Sequence, residues 1–171
     1  AEPKSKGGII VNLRSLAVPL AMLLLIVAGF LFWPAAEPMP NARFNLLDGR
    51  QFDSEDLRGR PVVVNFWSVT CSICIRDMPK LARLHDSLAD RDLLVIGVAL
   101  PSDPPPVVID FVDKNPPGFP IALDVHGEVS QAFGNIEVTP TTFLIDPDGQ
   151  IRYRERGPLD ETRVRATLAT F

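Results

Sequence analysis

Two cysteines and two histidines are all the thiol and imidazole side chains this 171-residue chain carries, and that scarcity excludes much of what cysteine-bearing sequences do. A structural zinc site needs four sulfur or nitrogen ligands, so Cys71 and Cys74 would have to recruit both of the distant residues His85 and His126. One closely spaced pair of cysteines cannot staple a small scaffold either. With 46% hydrophobic and 22% charged residues, the chain has the composition of a globular domain with its own core. Positive charge is also short, at 17 Lys+Arg against 21 Asp+Glu. Setting aside residues 1–36, which hold three basic residues and one acidic, leaves 14 against 20, a formal charge of −6. That balance offers no footprint for nucleic acid, and no internal repeat suggests a solenoid.

Long apolar runs are absent with one exception. Between Arg14 and Glu37 lie 22 uncharged residues, SLAVPLAMLLLIVAGFLFWPAA. At about 1.5 Å rise per residue such a run crosses a hydrocarbon core of roughly 30 Å, which predicts a transmembrane anchor over residues 15–36. Lys4, Lys6 and Arg14 precede it, so the positive-inside tendency puts residues 1–14 in the cytoplasm and the domain on the far side. A cleaved signal peptide is the competing reading. Its apolar region usually spans only about 7–15 residues, and PAAEP is a poor cleavage site, which favours retention.

Residues 37–42 read as a Pro-rich, semi-extended linker, and residues 43–171 as the folded domain. Asp48-Gly49 between RFNLL and RQFDSEDL signals a hairpin. PVVVNFW (residues 61–67) and LLVIGVAL (93–100) are near-continuous apolar runs, as strands covered on both faces should be. Leu81, Leu84 and Leu88 recur at helical spacing after the cysteines, and VVIDFVDKN offers a second helix with Asp103 placed to cap its start. PIALDV is a third strand and GEVSQAFG a short helix. A hairpin of TTFLID and QIRYRER follows, and LDETRVRATLATF closes the chain as a helix. Alternation of this kind predicts a three-layer α/β domain with a mixed central sheet.

The cysteines fall where the first central strand ends and a helix begins, the end of such sheets at which ligands gather. An ordinary thiol with pKa near 8.5 is mostly protonated at neutral pH, whereas a helix N-terminus stabilises the thiolate. Cys71 takes that end. Cys74, nearly one turn later and shielded, is placed to attack a mixed disulfide formed at Cys71 and release the substrate. The bland reading is a structural bridge, but closing so small a loop restricts the unfolded chain little.

Phe66-Trp67, the CxxC beginning four residues after Trp67, Pro79 five residues past Cys74, and VTPTTFLIDPDG later in the chain together resemble the thioredoxin fold. The preceding hairpin, RGRPVVVNFW and the apolar N-terminal run narrow the resemblance to the membrane-tethered, extracytoplasmic TlpA-like and DsbE-like (cytochrome c maturation) thiol:disulfide oxidoreductases of bacteria. It covers about residues 38–171. It implies Cys71 as nucleophile, Cys74 as resolving thiol, and a cis peptide at Thr139-Pro140 facing them, with Thr139, Pro140 and Trp67 meeting the substrate. It further implies a bacterial inner-membrane location, single-pass, with the domain facing the periplasm or outer side. The partners would be a protein thiol or disulfide and a DsbD-like membrane electron donor, with no cofactor and no metal.

Several residues depart from the family pattern. Asn65 stands where a buried acid often lies beneath the thiols, and it cannot exchange a proton at neutral pH, so Asp103 or Glu137 is expected to relay the proton of Cys74. Thr70 replaces the usual Trp before the first cysteine. Ser72-Ile73 between the thiols alters thiolate stabilisation and hence reduction potential. The leading expectation is a reductase of protein disulfides. A disulfide-donating oxidase using the same thiols in reverse is one alternative, and a Cu(I)-handling module, suited to soft thiolates, is another. A peroxidase on the same fold finds support only in Thr70.

Overall fold

The computed structural model describes residues 22–23, 37–88 and 92–171. The unit Ala36–Phe171 contains strands β1 (Glu37–Pro38), β2 (Arg43–Asn45), β3 (Gln51–Asp53), β4 (Val62–Trp67), β5 (Leu94–Ala99), β6 (Ile121–Leu123), β7 (Thr141–Ile145) and β8 (Gln150–Arg156). Its helices are α1 (Ser72–Ser87), α2 (Pro105–Lys114), α3 (Glu128–Ala132) and α4 (Glu161–Leu168). One sheet runs in the order β1-β8-β7-β4-β5-β6, and β2 and β3 form a separate hairpin. β4 is parallel to β5, and β5 to β6, while β4–β7, β7–β8 and β8–β1 are antiparallel. The sheet is therefore mixed and the fold is thioredoxin-like α/β.

The period-2 alternation of a strand sorts its side chains onto two cores. Val62, Val64 and Phe66 of β4 join Ile96, Val98 and Phe143 on one face, packed against Phe44 of the hairpin and Val129 and Phe133 at α3. Phe133 sets its ring edge-on to Phe44, Phe66 and Phe143, at centroid distances of 6.2, 5.4 and 5.0 Å, in the arrangement that aromatic quadrupoles favour. Val63 and Trp67 point the other way, with Val95, Ala99 and Leu144, into a core closed by Leu81 and Leu84 of α1, Val108 of α2 and Val164 and Leu168 of α4. Covering on both sides is what makes β4 and β5 read as unbroken apolar runs.

Three local expectations need correction. Residues 37–42 do not form a free spacer, because Glu37 and Pro38 pair with Ile151 and Gln150 and Met39 buries its side chain while its N–H donates to Gly149 O at 2.8 Å. Proline is admissible there because β1 is an edge strand. In RQFDSEDL the strand stops at Asp53, and Ser54–Leu57 turn as a 3-10 helix whose Asp53–Asp56 pair closes a capping box. Asp103 does not cap its own helix, whose N-cap is Pro104 with no side-chain bond. His85 is half-buried, with Nδ1 enclosed and unpartnered among the described residues. Pro79 lies inside α1 without ending it, and both Pro79 and Ile75, whose carbonyl loses a donor there, are on the solvent side.

The run predicted as a transmembrane anchor, 15–36, lies outside the described residues apart from Met22 and Leu23, which are helical. Among the described residues no helix is long and apolar enough to cross a membrane.

Gly97 of β5 sits where no side chain fits. A Cβ there would lie 2.7 Å from Ile121 Cδ1, 3.1 Å from Phe119 and 3.3 Å from Trp67 Nε1, all of them packed side chains. Gly97→Ala is expected to destabilise the domain by about 1–3 kcal/mol through overpacking, read as a lower urea midpoint with an unchanged slope.

Candidate active site

β4 ends at Trp67, and the next four residues make a tight turn in which Cys71 N–H donates to Ser68 O at 3.1 Å. Cys71 is the N-cap of α1, and Ile75 N–H donates to its carbonyl at 3.1 Å. Cys71 and Cys74 are joined as a disulfide. The two sulfurs have different surroundings: Cys71 is half-exposed, whereas Cys74 is buried at 2% accessibility in the core beneath α1. Cys74 N–H donates to Cys71 Sγ at 3.1 Å. A free donor of the helix's first turn is thus aimed at the outer sulfur, the arrangement that stabilises a thiolate once the bond is reduced.

A second loop arrives at the same end of the sheet. Phe66 is paired with Thr141, so Pro140, one residue earlier, reaches the level of Trp67 and the start of the cysteine turn. The Thr139-Pro140 peptide is cis. Pro140 is buried and Thr139 half-exposed, and among the described residues the Thr139 main chain makes no hydrogen bond. Val138 beside it is 56% exposed, and Ile75, the residue after Cys74, is also open to solvent.

The expected polar residues divide. Asn65 is buried, with Nδ2 donating to Thr142 Oγ1 at 2.9 Å across the β4–β7 pair. Asp103 is drawn to the site but is already engaged: Oδ1 accepts from Ser68 Oγ at 2.9 Å and Oδ2 from Val69 N–H at 2.7 Å. Glu137 is exposed and accepts from Asn135 Nδ2 at 3.1 Å. No bond links either acid to the cysteines. Trp67 is 1% exposed, packed against Phe111 at 5.7 Å, with Nε1 unpartnered among the described residues. Its bulk supports the turn from within and leaves little surface for a substrate to touch. Among the described residues no group of three or more His, Cys, Asp or Glu side chains is gathered to hold a metal ion.

Sequence reasoning passed over Asp77. It lies three residues past Cys74, on the same buried face of α1, at 2% accessibility. Lys80 Nζ donates to its Oδ1 and Leu159 N–H to its Oδ2, each at 2.7 Å. The i, i+3 spacing from a buried cysteine was the available signal.

Here the sheet, the half-buried sulfur pair and the proline turn define a thiol-disulfide oxidoreductase of thioredoxin-like fold. Comparison with known proteins agrees, and the chain belongs to the Redoxin family, which it matches over residues 34–170. It is 32% identical over 119 residues to the thiol-disulfide oxidoreductase ResA of Bacillus thuringiensis subsp. konkukian, covering 69% of this chain and 67% of that one. Among solved structures, MTB dsbF in its mixed oxidized and reduced forms superposes with a TM-score of 0.68 at 27% identity, over 80% of this chain and all of that one. A thioredoxin family thiol:disulfide interchange protein from Chlorobium tepidum shares the fold, with a TM-score of 0.71 at 24% identity over 81% and 97% of the two chains.

Asp77→Ala would remove an acceptor from a buried N–H and a partner from Lys80. It is expected to cost about 2–4 kcal/mol in urea unfolding, as the loss of a buried charge-assisted network does.

Proposed function

We propose that the protein is an extracytoplasmic, membrane-tethered reductase of protein disulfides, with Cys71 as attacking thiol and Cys74 as resolving thiol. The observation that carries this reading is the asymmetry of the pair. Of the two residues only Cys71 is partly exposed, whereas Cys74 is buried, and the sulfur of Cys71 receives the Cys74 N–H. In the reduced protein the Cys71 thiolate attacks one sulfur of a substrate disulfide, forming a mixed disulfide and expelling the other substrate sulfur as a thiolate that takes up a proton. Cys74, deprotonated, then attacks Cys71 Sγ, re-forms the intramolecular bond and releases the second substrate thiol. Two electrons pass from the pair to the substrate.

Thr139 supports the recognition half of the reading. Its unpaired main chain, next to Pro140, offers a donor and an acceptor to an extended substrate segment, as an open strand edge does. For the proton leaving Cys74, Asp77 is the carboxylate on the same buried face of α1; its oxygens accept from Lys80 Nζ and Leu159 N–H, as those of Asp103 accept from Ser68 and Val69, and its place on the helix of Cys74 is what favours it. The similarity to ResA, named a thiol-disulfide oxidoreductase, supports the chemistry. The apolar run 15–36 supports the tether to a bacterial inner membrane with the domain on the outer side. There disulfides form readily, so a reductase needs a dedicated DsbD-like donor, and apocytochrome c is the substrate that the DsbE-like resemblance favours.

Cys74→Ala in the native envelope is expected to accumulate a covalent adduct at Cys71 that reducing agent releases, and Cys71→Ala to accumulate none. An adduct at neither position, with no catalysis of insulin-disulfide reduction by the wild type, would sink the proposal. Direction is read from the reduction potential: a value well below about −200 mV fits a reductase, and one near about −120 mV would reassign the protein as a disulfide donor. Retention in the membrane pellet after an alkaline wash is the expected behaviour of the tether, and release would remove it.

A further inference from the structure

Asp103 has both carboxylate oxygens committed to a loop that is not its own. The reason lies in the three prolines that follow it. Pro104 is the N-cap of α2, and Pro105 and Pro106 occupy the first two helical positions. Neither of those has an N–H to donate, and the next donor, Val107 N–H, already reaches Pro104 O at 2.9 Å. The start of α2 therefore presents few of the unsatisfied donors that an acid normally caps. The carboxylate turns instead to the β4–α1 loop, where it accepts Ser68 Oγ–H and Val69 N–H.

The bonds continue toward the sulfur. With its hydroxyl proton given to Asp103, Ser68 Oγ is left to accept, and it receives Thr70 N–H at 3.2 Å and shares a 2.9 Å hydrogen bond with Thr70 Oγ1. Ser68 O then accepts Cys71 N–H. On the other side, Asp103 N–H donates to Leu100 O, and Leu100 N–H to Trp67 O, each at 3.1 Å. Ser68 and Asp103 are 5% and 6% exposed, so water competes little for these bonds and removing one partner leaves the other unsatisfied.

We infer that Asp103 and Ser68 form a clamp that positions Cys71, with Asp103 acting on the reaction through the loop and not as the proton acceptor of Cys74. The inference rests on Cys71 being the attacking thiol. A group held by five linked hydrogen bonds delivers its sulfur in one place, and a displacement of about 1 Å at a reacting atom can cost on the order of a hundredfold in rate.

The test uses the full chain and its Ser68→Ala, Asp103→Ala and Asp103→Asn variants, together with the double alanine variant. The readouts are the rate constant for exchange of the reduced protein with a small aromatic disulfide, the reduction potential, and the urea midpoint. Ser68→Ala and Asp103→Ala are each expected to slow exchange by about tenfold, and the double variant to be no slower than the worse single, as residues of one network behave. Asp103→Asn should recover most of the rate, because its amide oxygen still accepts Val69 N–H and its NH2 can donate to Ser68 Oγ. Asp103→Asn as slow as Asp103→Ala, with Ser68→Ala near wild type, would make Asp103 a proton acceptor and overturn the clamp. Lower urea midpoints with rate and potential unchanged would overturn it too, by showing a role in stability alone. Should Asp103→Ala fail to fold, Ser68→Ala and Asp103→Asn still decide. Mass mapping of the first cysteine alkylated in the wild type tests the underlying reading separately.

Discussion

The placement of β4 between β5 and β7 is the constraint on which everything else depends. With a parallel neighbour on one side and an antiparallel one on the other, this strand cannot slip by a residue without turning each core side chain to the wrong face. Asn65 adds a polar lock, because its bond to Thr142 exists only in this register. Once the register holds, the chain leaving β4, the chain leaving β5 and the chain entering β7 are brought to one end of the sheet. Those segments carry Cys71, Asp103 and Pro140. The active site is therefore a consequence of strand pairing, assembled by elements far apart in sequence.

A second regularity runs through the molecule. Four buried aspartates each accept a main-chain N–H: Asp77 from Leu159, Asp103 from Val69, Asp124 from Val129 and Ser130, and Asp146 from Gln150. A buried carboxylate is costly unless it is hydrogen-bonded, and here the bonds go to the loops after β4 and before α4, the first turn of α3 and the first residue of β8. Apolar packing alone specifies such segments poorly. The carboxylates fix loops and the starts of elements, and two of the four, Asp124 and Asp146, bond segments that carry none of the site residues.

Much of the architecture was legible in the sequence, for identifiable reasons. Apolar runs of strand length marked β4 and β5, helical leucine spacing marked α1, and Asp-Gly pairs marked both hairpins. The position of the cysteines followed from the end of β4. What was not legible involved partners remote in sequence. Asp103 looked like an ordinary cap because its true acceptor role depends on Ser68 and Val69, some 35 residues earlier. Asp77 went unread because the Leu159 N–H that it accepts comes from the C-terminal segment. Residues 37–42 looked like a spacer because proline-rich composition says nothing of Met39 finding a pocket. Trp67 was expected to meet substrate, and the structure spends it almost wholly on packing.

One edge of the sheet is only partly covered. Among the described residues β1 pairs with β8 at Gln150 and Ile151 alone, so the outer rim of β8 from Arg152 to Arg156 keeps main-chain groups free to recruit another strand. Arg152, Arg154 and Arg156 stand exposed along it. A second copy adding itself there would bring two rows of guanidinium groups together, and such like-charge crowding is how natural sheets deter self-association at bare edges. The arginine row thus weighs against strand addition along this edge.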